Sequence, residues 1–146
     1  MSLFLADTSL WVARRRSGAE PLKREFLERF RRGEIATCVP VALEVLAAAP
    51  DVDAYERDWD TVWKALFWLP LTERTLQRAL DVQREVAQGG VHRASPTAFL
   101  VASCAEAAGD GVVLWHCDPG LAAICEHTGQ AQEPALELVG APVATA

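Results

Sequence analysis

Hydrophobic positions in this chain fall into two kinds of run: short unbroken stretches of four or five residues, and longer segments repeating every three to four positions. Residues 2–6 are an apolar run stopped by Asp7, the pattern of a buried strand. Thr8 or Ser9 then offers a cap for a helical segment through Val12, ended by Arg14, Arg15, Arg16, Ser17 and Gly18. Pro21 suits a first helical turn, and Phe26, Leu27 and Phe30 keep helical spacing as far as Gly33. Residues 35–38 read as a second strand. Val39 and Pro40 open a helix carrying Val41, Leu43, Glu44, Val45 and Leu46, which closes by Pro50. Asp51 or Asp53 caps the next helix, with Trp59, Trp63, Leu66 and Phe67 on it, and Leu69-Pro70-Leu71 is extended. Thr72 caps a helix running through Leu76, Leu80, Val82 and Val86 to Gly89-Gly90. Ser95-Pro96 begins a helix over residues 97–108, and Gly109-Asp110-Gly111 is a tight turn. Val112–His116 is the clearest strand in the chain, and Asp118-Pro119 starts a last helix ending at Gly129. The tail after about residue 130 is weakly patterned and is expected to hold a short edge strand.

Short apolar strands alternating with helices predict an α/β fold: a central, mainly parallel sheet of four to five strands with helices on both faces. No repeat or internal linker is visible, so residues 1–146 read as one domain. In such sheets, sites form beyond the carboxyl ends of the strands. Asp7 follows the first strand and Asp118 follows the Val112–His116 strand, where that rule asks for polar residues.

Composition narrows the function. The chain has 51% hydrophobic and 23% charged residues and a formal net charge of −6. No apolar run approaches the roughly 20 residues of a membrane span. The start does not read as a signal peptide, and the four scattered cysteines (Cys38, Cys104, Cys117, Cys125) read as reduced and buried, so a cytoplasmic location is expected. The acidic balance argues against DNA binding by this chain alone. It is compatible with carboxylates that hold cations at a phosphate. Asp7, Glu44 and Asp118 each stand in apolar surroundings, and burying a lone carboxylate costs several kcal/mol unless it is paired or bound to a cation. Singly, the two aspartates also read as helix caps and Glu44 as a solvent-facing helix residue. Jointly they favour convergence on Mg²⁺ or Mn²⁺.

The ordered motifs carry a resemblance. Leu5-Ala6-Asp7-Thr8-Ser9-Leu10, Val41-Ala42-Leu43-Glu44-Val45-Leu46, the segment from His92 to Ala102, and Val113-Leu114-Trp115-His116-Cys117-Asp118 with the helix after it resemble, in order and spacing, a PIN-domain ribonuclease of the VapC toxin type. The resemblance implies a PIN-like fold and a Mg²⁺- or Mn²⁺-dependent endoribonuclease, the toxin of a type II toxin–antitoxin system. It also implies an RNA substrate, a homodimer and a VapB-type antitoxin. Carried over, Asp7, Glu44 and Asp118 match three of the family's four acids. Asp7 and Asp118 would be metal ligands, and Glu44 would complete the site and orient the attacking water.

The fourth acidic position holds Ala98. No Asp or Glu lies between Glu85 and Glu106, and Glu106 is roughly 12 Å further along the helix. The chain is therefore expected to be catalytically impaired, through either an introduced replacement or a natural degeneration. The alternative is a non-catalytic PIN-like binding or regulatory module. Gly120 is a milder departure, because many relatives carry an acid there. Thr8 and Ser9 are expected to support the acids by hydrogen bonds, and Arg14, Arg15 and Arg93 to contact substrate phosphates. Arg16 shares the position of Arg14 and Arg15, and all three could equally be a solvated surface. His116, Cys117, Cys125 and His127 lie at spacings that make poor zinc chelates. Trp59, Trp63 and Phe67, four residues apart, read as core packing or as an interface for the second copy or the antitoxin.

Overall fold

The computed structural model describes residues 2–90 and 93–135. Five strands, β1 (Leu3–Ala6), β2 (Ile35–Thr37), β3 (Phe67–Trp68), β4 (Val112–His116) and β5 (Gln132–Pro134), form one sheet in the order β3-β2-β1-β4-β5. Every pairing is parallel, which makes the expected mainly parallel sheet fully so. Parallel neighbours need crossover connections. These are supplied by α1 (Thr8–Ala13), α2 (Glu20–Arg31), α3 (Val39–Leu46), α4 (Val52–Thr61), α5 (Glu73–Ala87), α6 (Pro96–Ala108) and α7 (Pro119–Thr128). None of these helices is long and apolar enough to cross a membrane.

The innermost strands are the most apolar. Leu5, Ala6, Leu114 and Trp115 are fully buried, as expected for strands covered on both faces. Trp115 meets Phe4 edge-on and stacks on Phe26 of α2, with ring centroids 6.0 Å apart for the second pair. Elsewhere α6 packs on β4 and joins α5 and α7 in one helical layer.

The third strand departs from the sequence expectation. The helix expected to carry Trp59, Trp63, Leu66 and Phe67 stops at Thr61, a single 3₁₀ turn covers Trp63–Ala65, and Phe67–Trp68 is strand rather than helix. The cause is pairing: Ala36 and Thr37 of β2 face Phe67 and Trp68, and Leu69 N–H donates to the Thr37 carbonyl at 2.8 Å. Phe67 is accordingly half-exposed, while Trp63 turns inward and stacks on Trp11 with ring centroids 4.5 Å apart.

Two further expectations shift. Asp7, rather than Thr8 or Ser9, caps α1. On α5 the buried stripe is Thr75, Ala79, Val82 and Val86, so Leu76 and Leu80 face outward. The short edge strand expected in the tail is β5. The tail beyond residue 135 and His92 lie outside the described residues.

Candidate metal centre at the switch point of the sheet

The strand order reverses at β1. The chain moves from β1 to β2 and β3 on one side, then crosses to β4 and β5 on the other. In open α/β sheets this reversal opens a crevice beyond the carboxyl ends of the two strands. Asp7 and Asp118 stand at the carboxyl ends of these two strands. Ala6 pairs with Trp115, Asp7 N–H donates to the Trp115 carbonyl at 3.0 Å, and Asp118 follows two residues after β4 ends.

Both aspartates cap helices as well. Asp7 Oδ2 accepts from Ser9 N–H at 3.0 Å and from the Ser9 hydroxyl at 2.6 Å, and Asp118 Oδ1 accepts from Gly120 N–H at 2.9 Å. Both aspartates therefore act as helix caps, one of the two roles read from the sequence. Ser9 also ties the two strand ends, since its Oγ accepts from Cys117 N–H at 3.0 Å. These bonds use one oxygen of each carboxylate. Oδ1 of Asp7 and Oδ2 of Asp118 take no part in these bonds.

Asp7 is buried and Asp118 half-buried. Burial holds the Asp7 carboxyl above the ordinary range. The hydrogen bonds from Ser9 and the Thr8 backbone oppose this, and the nearby charge of Asp118 adds to it. A buried carboxylate with a second acid nearby is a place where a cation would balance charge. Hard oxygen donors suit Mg²⁺, which is commonly held by one or two carboxylates and keeps several waters. The donor set fits such an ion.

The remaining sequence candidates spread out. Glu44 is exposed, because Val41, Ala42, Val45 and Leu46 take the inner face of α3 and leave Leu43 and Glu44 on the other side. Among the described residues, no three His, Cys, Asp or Glu side chains gather as a metal-holding group. Ala98 sits in the first turn of α6, 1% exposed, and its N–H donates to the Ser95 hydroxyl at 3.1 Å. Glu106, further along that helix, pairs with Arg78 instead. A Cβ on Gly120 would lie 3.3 Å from both the Ala94 Cβ and Asp118 Oδ1, so the segment before α6 closes against the site and an added side chain there needs Ala94 to give way.

Thr8 is half-buried with its Oγ1 unpartnered. Arg14 lies over the Trp11 and Phe26 rings at 4.9 and 4.5 Å, and burial lowers its pKa. Arg15, Arg16 and Arg93 are exposed. Burial pushes the Cys125 thiol up to about 12 and raises Cys117 as well, so neither is poised as a nucleophile.

One residue beside the site had a role that sequence reasoning missed. His116, fully buried, accepts Asp118 N–H on Nδ1 at 3.1 Å and pairs through Nε2 with Gln132 Oε1 at 2.8 Å. The available signal was a histidine two residues before the acid at a strand end, where a short side-chain acceptor reaches the i+2 N–H.

No protein-family model matches the chain, and no curated protein matches it. Solved structures do. The DNA-bound VapBC complex of Salmonella typhimurium superposes with a TM-score of 0.66 at 18% identity, over 92% of this chain and 98% of that one. VapBC2 of Rickettsia felis, bound to a fragment of promoter DNA, gives 0.65 at 14% identity, over 90% and 98%. A third, FitAcB from Neisseria gonorrhoeae, gives 0.65 at 10% identity, over 89% and 96%. At these identities the likeness is one of fold, and it agrees with the PIN-like architecture expected from the motifs.

Proposed function

We propose that this chain is the VapC-type toxin of a cytoplasmic type II toxin–antitoxin pair, built for Mg²⁺- or Mn²⁺-dependent endoribonuclease chemistry but impaired by Ala98. The observation that carries the reading is the pair of acids at the switch point: buried Asp7 beside Asp118, each with one oxygen committed to its helix and one left over. The fold shared with toxin–antitoxin complexes supports it.

In this reading Asp7 and Asp118 hold the ion. When bound, it offsets charge on the scissile phosphodiester and lowers the pKa of an attacking water. Ser9 keeps the two acids in register by bonding Asp7 and the Cys117 N–H together. Glu44, which the motif match would have orient the water, is exposed on the side of α3 opposite its core face. Arg15 and Arg93, both exposed, are the cations assigned to RNA phosphates. Arg14 contributes by bracing α1 against the Trp11 and Phe26 rings. The buried Ala98 side chain brings no charge, so the ion is held by fewer carboxylates than the family uses.

Partners follow from exposed apolar surface. Val39, Leu43, Tyr55, Trp59 and Trp68 line a groove of about 440 Å³ between α3 and α4, with Leu43 68% exposed. We assign it to the VapB-type antitoxin, an apolar helix or strand being the chemistry it fits. The outward Leu76 and Leu80 on α5, beside Pro96 and Leu100 of α6, are assigned to the homodimer.

The test is RNA cleavage by this chain and by Ala98→Asp, each with Mg²⁺, with Mn²⁺ and with chelator. Metal-dependent cutting by Ala98→Asp, with little by the parent chain, is expected. Strong cutting by the parent would remove the importance given to position 98. A second reading, a non-catalytic PIN-like binding module, draws on the exposed Glu44 and on the lack of a three-acid group among the described residues. It gains if neither protein cuts a broad panel of RNAs.

A further inference from the structure

We infer that His116 is a positioning residue for the acid pair: as a neutral imidazole protonated at Nε2, it holds the Asp118 backbone and so aims that carboxylate beside Asp7. The inference rests on the reading that Asp118 faces a cation.

The two residues between β4 and α7 have no strand partner for their N–H groups. Cys117 N–H is taken by Ser9 Oγ at 3.0 Å and Asp118 N–H by His116 Nδ1 at 3.1 Å. A ring nitrogen that accepts an N–H carries no proton, so the proton is on Nε2, which donates to Gln132 Oε1 at 2.8 Å. The Gln132 amide in turn donates to the Ala122 carbonyl at 3.4 Å, so the relay runs from α7 through β5 and β4 to the site. Each member acts in one orientation only. Asp118 itself caps α7, its carbonyl accepting from Ala122 N–H at 3.0 Å. The direction of its carboxylate is therefore set by a backbone held at both ends. Partners of this kind, one bond removed from a metal ligand, commonly change metal affinity by 10–100-fold when lost.

A volume-filling role and a positioning role make opposite demands on two variants. His116→Asn keeps an acceptor at the Nδ1 position and loses the ring; His116→Phe keeps the ring and loses the acceptor. In the full chain, amide hydrogen exchange at Asp118 and the affinity for Mn²⁺ alone, read from the paramagnetic signal of unbound ion, are measured for both. Asp7→Asn serves as the control that binding occurs at the acid pair. We expect His116→Asn to stay near the parent on both readouts. His116→Phe is expected to lose Asp118 protection and to bind Mn²⁺ roughly tenfold more weakly. A Phe variant that keeps both, or an Asn variant that loses both, overturns the inference. If the Phe variant does not fold, nitrogen spectroscopy of the unaltered chain decides. A bare Nδ1 coupled through its hydrogen bond to the Asp118 amide supports the inference, and a protonated Nδ1 removes it. If the parent binds no Mn²⁺ at this pair, the cation reading fails by itself, while Asp118 exchange still decides the role of His116.

Discussion

At the scale of single residues, Asp7 carries opposing demands. Its Ser9 bonds stabilise the start of α1, yet burial and Asp118 make its charge costly. A carboxyl whose pKa is higher in the fold than in the unfolded chain contributes stability that is complete below the unfolded value and lost as pH rises through the folded value. Without metal, the chain should therefore lose stability from the ordinary aspartate range up to the raised pKa of Asp7, then level off. Asp7→Asn keeps an acceptor for Ser9 and has no charge to bury. It should raise stability at neutral pH by about 1 kcal/mol, because no charge is left to bury. Thermal unfolding in chelator across pH checks this. An Asn variant less stable than the parent at pH 7 would mean that charge at the α1 terminus outweighs burial, which makes Asp7 a plain cap. Ala98→Asp faces the same cost, since its site is 1% exposed. Its unfolding midpoint is expected to fall in chelator and to recover with Mg²⁺ more than the parent's does, because a ligand that binds only the fold stabilises it.

At the scale of elements, legibility tracked how much of each element is decided by its own residues. β1, β4 and the helix after Ser95-Pro96 could be read because apolar runs, turn residues and caps agree locally. Phe67–Trp68 could not, since two residues become a strand only through their β2 partners, 31 positions earlier in the chain. The outward turn of Leu76 and Leu80 was hidden for a related reason: Thr75 and Ala79 are poor hydrophobic signals, but they allow α5 and α6 to approach closely. Asp7 and Asp118 were legible as strand-end acids, whereas the exposure of Glu44 depended on which face of α3 turns inward. The Trp63 insertion shows what holds the irregular segment. Trp63 stacks on Trp11, and its carbonyl accepts the Trp68 indole N–H at 3.0 Å. Trp63→Ala should cost about 3–5 kcal/mol in denaturant unfolding, the range for emptying a buried aromatic site. A loss under about 1 kcal/mol would show that the segment before β3 is held by backbone pairing instead.

At the scale of the whole molecule, the strand-end acids do not line the apolar groove, to which α3 contributes Leu43 while its inner face packs the core. Leu43→Asp should leave the unfolding midpoint nearly unchanged, because the side chain is already in solvent, while it abolishes capture of the antitoxin proposed as partner in a pull-down. Retained capture would move the partner elsewhere. The central place of β1 has a consequence for the timing of synthesis. Leu3 through Ala6 pair with Val112 through Trp115, so the first strand made waits for one roughly 110 residues later before its second edge closes. Asp7 emerges early but has no companion acid until Asp118 has left the ribosome. A growing chain therefore cannot hold the paired site until most of it has been translated. At a few to twenty residues per second, that delay is several seconds or more during which a partner made alongside can already be present.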